Sequence, residues 1–286
     1  MAWKNPIFNL ATLSLGLSLE LAIAAGFSAP VRANSAISTP NSAIPQTWQL
    51  SQFNPPDRGA PDVAVGGATR GELCGVTPLI PKDTSKDYGE INPPYFGLTV
   101  AERPTFFFHI EKQIAQEVFF EVYEYNTEGR GKDGQLIYET NFSVSATPGI
   151  LSTKLPPSSD LEAGKTYRWY LDIVCGNDSS VEVASTSGWV ERVDATPELS
   201  SKLVRADTTE ARSQVYADTG IWFDALNILG QERIAADTDT LKTEWENLLE
   251  ALNLTNLEGI ANAPFMDCCN ESVEVFGEES ALTSQN

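Results

Sequence analysis

The sequence predicts an antiparallel β-sandwich of immunoglobulin or fibronectin III-like topology, followed by a short helical domain. Three observations carry that prediction. From Tyr167 to Cys175 the chain alternates strictly, placing Tyr167, Trp169, Leu171, Ile173 and Cys175 on one face, which is the period of two of a half-buried strand. Ahead of that strand, Leu161 and Gly164 followed by Tyr167 match the corner at which a sandwich chain passes between sheets. There the tyrosine hydroxyl bonds back to upstream backbone. Finally, residues 79–193 are short apolar runs separated by turn residues, and the period becomes helical after Thr196.

The chain opens with Lys4, an apolar run from Ile7 to Phe27 broken by serines, Thr12 and Glu20, and small residues ending in Val31-Arg32-Ala33. That is the layout of a secretory signal peptide over 1–33, an uncleaved membrane anchor being the alternative. Glu20 inside the run and the small-residue exit favour cleavage. No other stretch has the apolar length of a membrane span, so the protein is expected to be exported to the periplasm, cell surface or medium. Residues 34–68, rich in Ser, Pro, Asn, Gly and Ala, read as a disordered lead-in. Within it, Gly66-Gly67-Ala68-Thr69-Arg70-Gly71 lacks the Lys-Ser/Thr and the following helix of a phosphate-binding loop.

The sandwich is expected over 69–193. Pro93-Pro94 turns the chain into a strand from Tyr95 to Val100, and strands follow over Thr105 to Ile110 and Val118 to Tyr125. The Gly-rich, charged stretch from Asn126 to Gly134 suits a hairpin loop. Leu136 to Phe142 returns, Thr147-Pro148-Gly149 turns, Ile150 to Leu155 runs straight, and Pro156 to Gly164 forms the corner. Val181 to Val193 completes the set, with Ser185-Thr186-Ser187-Gly188 read as a bulge.

The helical domain is expected over 194–264, with an acidic tail over 265–286. Thr196, Pro197 and Glu198 form a helix start: a hydroxyl cap, proline in the first turn and an acid against the dipole. Thr208 or Thr209 caps a second helix, Gly220 stops it, Trp222, Ala225, Leu226 and Leu229 line a third, and Asp239 caps a fourth. The spacing of Tyr216, Gly220, Trp222, Ala225 and Leu229 is weakly tetratricopeptide-like. One copy is visible where about three are needed to bury their faces, so helix-hairpin packing is the expected reading. A peptide-binding appendage would require an open groove beside Trp222.

Carboxylates outnumber basic side chains 39 to 19, which disfavours nucleic acid and anionic lipid surfaces as partners. Four cysteines in an exported chain point to disulfides. Cys175 lies on the strand's apolar face and Cys74 precedes the first apolar segment, so a Cys74–Cys175 bridge is favoured among three pairings. Cys268 and Cys269 are adjacent, and free, mutually bridged and interchain states all remain open for them.

His109 is the single histidine, so any triad or dyad would have to use it. No Gly-x-Ser-x-Gly elbow accompanies it, and a partly exposed strand position is expected. One histidine without Cys-x2-Cys also argues against a zinc site, and Asp237-Thr238-Asp239 lacks the glycine and distal Glu of a calcium loop. No catalytic, metal or cofactor-binding residue is therefore assigned, and no cofactor is expected. Asn141, Asn177, Asn253 and Asn270 fit the glycosylation pattern, which matters only in a eukaryotic secretory pathway. Phe107, Phe119, Tyr123 and Tyr125 alternate with the inward-facing set. They are the candidate partner-binding aromatics unless helices cover them.

Several stretches together resemble an exported cyanobacterial family known only as domain of unknown function 928. They are Gly97-Leu98-Thr99-Val100-Ala101-Glu102-Arg103-Pro104-Thr105-Phe106-Phe107-Phe108, Thr147-Pro148-Gly149-Ile150, Gly164-Lys165-x-Tyr167-Arg168-Trp169-Tyr170, Gly188-Trp189-Val190-Glu191-Arg192-Val193 and Tyr216-Ala217-x2-Gly220-Ile221-Trp222-x-Asp224-Ala225-Leu226. The resemblance covers roughly residues 55–265 and implies export but no activity, cofactor or site. The expected function is a non-catalytic binding, adhesion or assembly module of the periplasm or cell surface, with a protein or envelope component as partner. The alternative is an exported hydrolase using paired carboxylates on polysaccharide or peptide, which requires two acids in a concave cleft.

Overall fold

A computed structural model describes residues 53–61, 75–111, 115–125, 133–144, 148–177 and 180–266. In it β3 (Thr105–Ile110) is flanked by β1 (Val76–Pro78) and β6 (Gly149–Lys154) in a three-stranded antiparallel sheet. A five-stranded sheet has the order β2-β8-β7-β4-β5. Its strands are β2 (Tyr95–Thr99), β4 (Ala115–Tyr125), β5 (Asp133–Ser143), β7 (Thr166–Asn177) and β8 (Ser180–Arg192). The sheets meet across one apolar cluster, with Phe106, Phe108, Ile110 and Leu151 from the first and Val118, Phe120, Trp169 and Leu171 from the second.

Two details depart from the sequence-based expectation. The β2–β8 pair is parallel, not antiparallel. No hairpin ties these strands, because β2 passes through residues 101–104 into the other sheet, and a long connection leaves either direction open. Nor is there a bulge at Ser185–Gly188: the β7–β8 register is unbroken from Thr166↔Glu191 to Asn177↔Ser180. Gly188 is there for close approach instead, since a Cβ on it would come within 2.4 Å of the Trp169 ring.

The corner forms as its residues imply. The Tyr167 hydroxyl accepts a hydrogen bond of 2.7 Å from the Glu162 backbone N–H, and Tyr167 and Trp169 are buried in the inter-sheet cluster. Cys175 is fully buried on the same face. Cys74, Cys268 and Cys269 lie outside the described residues.

The helices are α1 (Pro197–Arg205), α2 (Thr209–Asp218), α3 (Trp222–Ala235), α4 (Asp239–Leu249) and α5 (Leu257–Ala261). Thr196, Thr208 and Thr238 cap α1, α2 and α4, each hydroxyl accepting from a backbone N–H at 3.1, 3.1 and 3.3 Å. The cap of α4 is thus Thr238, not Asp239, which instead sits in the first turn and opposes the dipole. These helices share a core with the three-stranded sheet: Leu79, Phe107 and Ile150 pack with Trp222, Leu226, Leu229, Trp245 and Leu248. Trp222 is fully buried and its indole N–H donates to the Leu79 carbonyl at 2.9 Å. The open groove required for a peptide-binding appendage is therefore absent at Trp222.

Both ends of the described chain are tied to this core. Of the expected disordered lead-in, residues 53–61 are held by specific contacts. The Asn54 N–H donates to Ala217 at 3.1 Å, the Phe53 ring stands edge-on to Trp222 at 4.9 Å, and Arg58 pairs with Glu191 at 2.8 Å. The Ala60 N–H donates to Asp83 at 2.7 Å. That carboxylate also accepts from Ser85 and Tyr88. Together these donors hold the Asp83 carboxyl below its ordinary range against the opposing effect of burial, which is the largest single influence on it. At the other end, expected to be tail from residue 265, Met266 donates from its backbone to Ile150 at 2.9 Å and so lies along β6.

The joint between sheet and helices makes two predictions. A Cβ on Gly230 of α3 would come within 2.6 Å of the Phe107 ring, which is itself wedged edge-on against Trp245 and Phe265. Replacing glycine in a helix gains about 1 kcal/mol of propensity at most, whereas overpacking costs roughly 1–3 kcal/mol. Gly230→Val, whose branched side chain gains less and clashes more, is expected to destabilise by about 2 kcal/mol in urea denaturation.

Asp224 of α3 accepts from the Thr99 hydroxyl at 2.7 Å and the Val100 N–H at 3.1 Å, tying helix to β2. Burial pushes its carboxyl up to about 6, with those hydrogen bonds pulling the other way. The native state therefore holds this proton more tightly than the unfolded chain does. The resulting stabilisation is full below about pH 4 and is lost as pH rises through about 6, amounting to roughly 3 kcal/mol. Relative to Asp224→Asn, which does not titrate, the wild-type unfolding free energy should fall by about 2–3 kcal/mol between pH 4 and 7. Urea titrations at each pH would measure this, and a constant difference would show that the carboxyl keeps its ordinary pKa.

Candidate functional site

Alternation sends every second residue of the five-stranded sheet away from the inter-sheet core. One corner of this outer face is covered. Phe96, Leu98 and Trp189 lie under Ala60, Leu199 and Ile221 in a separate apolar cluster. Tyr125 belongs to that corner, standing edge-on to Trp189 at 5.1 Å. Over the rest of β4, β7, β8 and β5 no described segment forms such a cluster, and Phe119 (37%), Val183 (48%), Val181 (68%) and Leu136 (38%) are exposed.

The registers place this face residue by residue. Phe119 stands between Asn141 of β5 and Asp172 of β7, Glu121 between Glu139 and Tyr170, and Tyr123 between Leu136 and Arg168. On β8, Ser185 and Ser187 oppose Asp172 and Tyr170. Tyr123 and Tyr170 meet edge-to-face at 5.9 Å. The Arg168 guanidinium lies over Tyr170 at 4.8 Å and Trp189 at 5.2 Å, so its charge is directed along the aromatic row. Glu121 accepts from the Tyr123 hydroxyl at 3.1 Å, and Glu117 from the Asn141 amide at 3.0 Å.

The four aromatics proposed from sequence thus separate. Phe107 is not a surface residue: it is 1% exposed under α3 and α4, because the helices cover the outer side of its sheet. Tyr125 is half-buried in the covered corner, while Phe119 and Tyr123 remain on the uncovered face. Val181, Val183 and Leu136 were not singled out by sequence. The signal available was the phase of β8: small or polar Ala184 and Thr186 point inward, which forces the valines two and four residues before Ser185 outward.

His109 is buried at 7%, not partly exposed, because it shares the helix-facing side of β3 with Phe107. Burial lowers its pKa, opposed by the nearby Glu111 charge. A cavity of about 450 Å³ lies beside Arg58, with Asp57, Glu191 and Asp194 in its wall. Glu191 there is ion-paired to Arg58, and Asp224, whose pKa is raised, is not in that wall. Among the described residues, no cluster of three or more His, Cys, Asp or Glu is placed to hold a metal ion. Also among them, no helix is long and apolar enough to cross a membrane.

No curated protein matches the chain. Among solved structures, the third fibronectin III domain of the human KIAA0343 protein, determined in solution, is similar over 40% of this chain and 94% of its own length. The identity is 12% and the TM-score 0.21. The model of the family described as Domain of Unknown Function (DUF928) matches residues 65–265, and the chain belongs to that family.

Proposed function

We propose that this is an exported, non-catalytic binding or assembly module of the cell envelope, acting through the uncovered outer face of its five-stranded sheet. The observation that carries the reading is a contrast. Helices and residues 53–61 cover the outer side of the three-stranded sheet and the β2–β8 corner. Phe119, Val181 and Val183 are left in solvent on the remaining strands. Large apolar side chains grouped on one flat surface mark interaction sites. Glu117, Glu121 and Asp172 stand on a sheet face, which suits binding there, while of the acids in the cavity beside Arg58 (Asp57, Glu191 and Asp194) Glu191 is ion-paired to Arg58. We read the two-sheet arrangement itself as immunoglobulin or fibronectin III-like, with export and a cyanobacterial source as the resemblance implies.

Site-specific photo-crosslinking in the native envelope tests the reading. A benzoylphenylalanine at Phe119 is expected to give one or a few discrete adducts. The same group at Val204, 83% exposed on α1, is expected to give none. Equal labelling at the two positions would remove the reason to call this face a binding surface.

We further infer that Cys175 pairs with Cys74. Cys175 is disulfide-bonded, and Cys74 directly precedes Gly75, whose carbonyl accepts from Glu111 at the end of β3 at 2.9 Å. The bridge would therefore join the two sheets. Closing a loop of about 100 residues is worth roughly 4–5 kcal/mol by chain entropy. Non-reducing peptide mapping should return a Cys74–Cys175 peptide, whereas a link from Cys175 to Cys268 or Cys269 would refute the pairing.

A further inference from the structure

We propose that the uncovered face docks a basic, extended polypeptide segment, one that carries lysines or arginines between apolar side chains. This rests on the reading of that face as a binding surface and names the chemistry of its partner. Glu117, Glu121, Glu139 and Asp172 lie on neighbouring strands of one face. Glu121 and Glu139 stand directly opposite each other across β4 and β5, a placement in which like charges repel. None of these four carboxylates has an ion-pair partner among the described residues. Among the described residues the ion pairs are elsewhere: Lys165 with Glu124 and Glu162, Arg192 with Glu102, Arg58 with Glu191, Arg103 with Asp160, and others on or beside the helices. Among the described residues of this grid the cation is Arg168, which lies over Tyr170 and Trp189.

The apolar component fixes the partner further. Phe119, Val183 and Val181 expose side chains that a free metal ion or a small polyamine would leave wet. A polypeptide with cations interleaved among apolar residues satisfies both requirements. Its ammonium or guanidinium groups reach Glu121, Glu139 and Asp172, while its apolar side chains cover Phe119 and Val183. A polyanion is repelled by the same four carboxylates. A neutral polysaccharide would use the rings and hydroxyls but would leave the Glu121–Glu139 repulsion in place.

The full exported chain would be titrated with three fluorescent probes of equal length: an alternating Lys-Leu peptide, its Gln-Leu counterpart and a neutral oligosaccharide. The variants are Glu121→Gln with Glu139→Gln, Phe119→Ala, and a charge-matched control, Glu232→Gln with Glu258→Gln, on the exposed helix surface. Thermal unfolding of each variant verifies the fold. The Lys-Leu peptide is expected to bind, to weaken about tenfold or more in the β4–β5 variant and in Phe119→Ala, and to be unaffected by the control. Binding should also weaken as salt rises from about 50 to 300 mM, in keeping with screened charge pairs. Equal weakening by the helix control would overturn the proposal, since attraction would then be a property of the whole acidic surface. So would preferential binding of the oligosaccharide or of the Gln-Leu peptide. Discrete crosslinks at Phe119 without Lys-Leu binding would refute the basic partner and leave the binding face standing, whereas loss of both would remove both.

Discussion

A strand buried on both sides needs a cover on both sides, and β3 imposes that condition on the rest of this protein. All six of its residues are buried. Phe106 and Phe108 fill the space between the sheets, and Phe107 fills the space beneath the helices. A two-layer sandwich alone would leave Phe107 and Ile150 in water. Burying a large apolar side chain is worth roughly 1.5–3 kcal/mol, and the helices provide that burial for Phe107 and Ile150. Their own amphipathic residues, Trp222, Leu226, Leu229 and Trp245, are satisfied by the same contact. Neither part has a complete core without the other.

The joint explains why the stretches that carry the family resemblance include both a strand-and-turn segment and a helix start. Thr99 and Val100 leave β2 and meet Asp224 in the first turn of α3. Trp222, two residues earlier, donates to Leu79 ahead of β2. Glycine enters for the same reason, since Gly97 faces Phe223 and Gly230 faces Phe107 at distances a side chain could not keep. These residue types are those needed to bring a helix close to a sheet, and each is accounted for by packing.

Local periodicity revealed the parts of the fold that depend on local rules. The alternation from Tyr167 to Cys175, the tyrosine corner, the threonine caps at Thr196 and Thr208 and the proline start of α1 follow from nearest-neighbour geometry and were legible in sequence. What depended on tertiary placement was not. Whether Phe107 faces solvent or a helix is decided by elements more than a hundred residues away, and so is the burial of His109. The direction of β2 against β8 and the smooth passage of β8 through Ser185–Gly188 are likewise set by partners that the local sequence does not name. Of the candidate site, Phe119 and Tyr123 were legible as outward strand positions. Val181 and Val183 were not, because valine on a strand normally reads as inward.

The excess of carboxylates behaves differently in different places, and the difference separates structural acids from those of the open face. Asp83 and Asp224 are surrounded by donors that the fold supplies: backbone N–H groups, a tyrosine hydroxyl and a threonine hydroxyl. Each ties together segments distant in sequence, and for Asp224 the burial needed to do so raises the pKa to about 6. Glu162, Glu124, Glu102 and Glu191 meet lysine or arginine around the corner and its neighbouring strand ends. Among the described residues Glu121 and Glu139 have neither treatment: they face each other on adjacent strands, and the Tyr123 hydroxyl donates to Glu121. A fold that neutralises or caps its acids wherever they hold segments together leaves this pair beside exposed Phe119. Stability gives no reason for that arrangement, since opposed like charges weaken a strand pair. The proposed docking of a basic segment rests on this opposed pair.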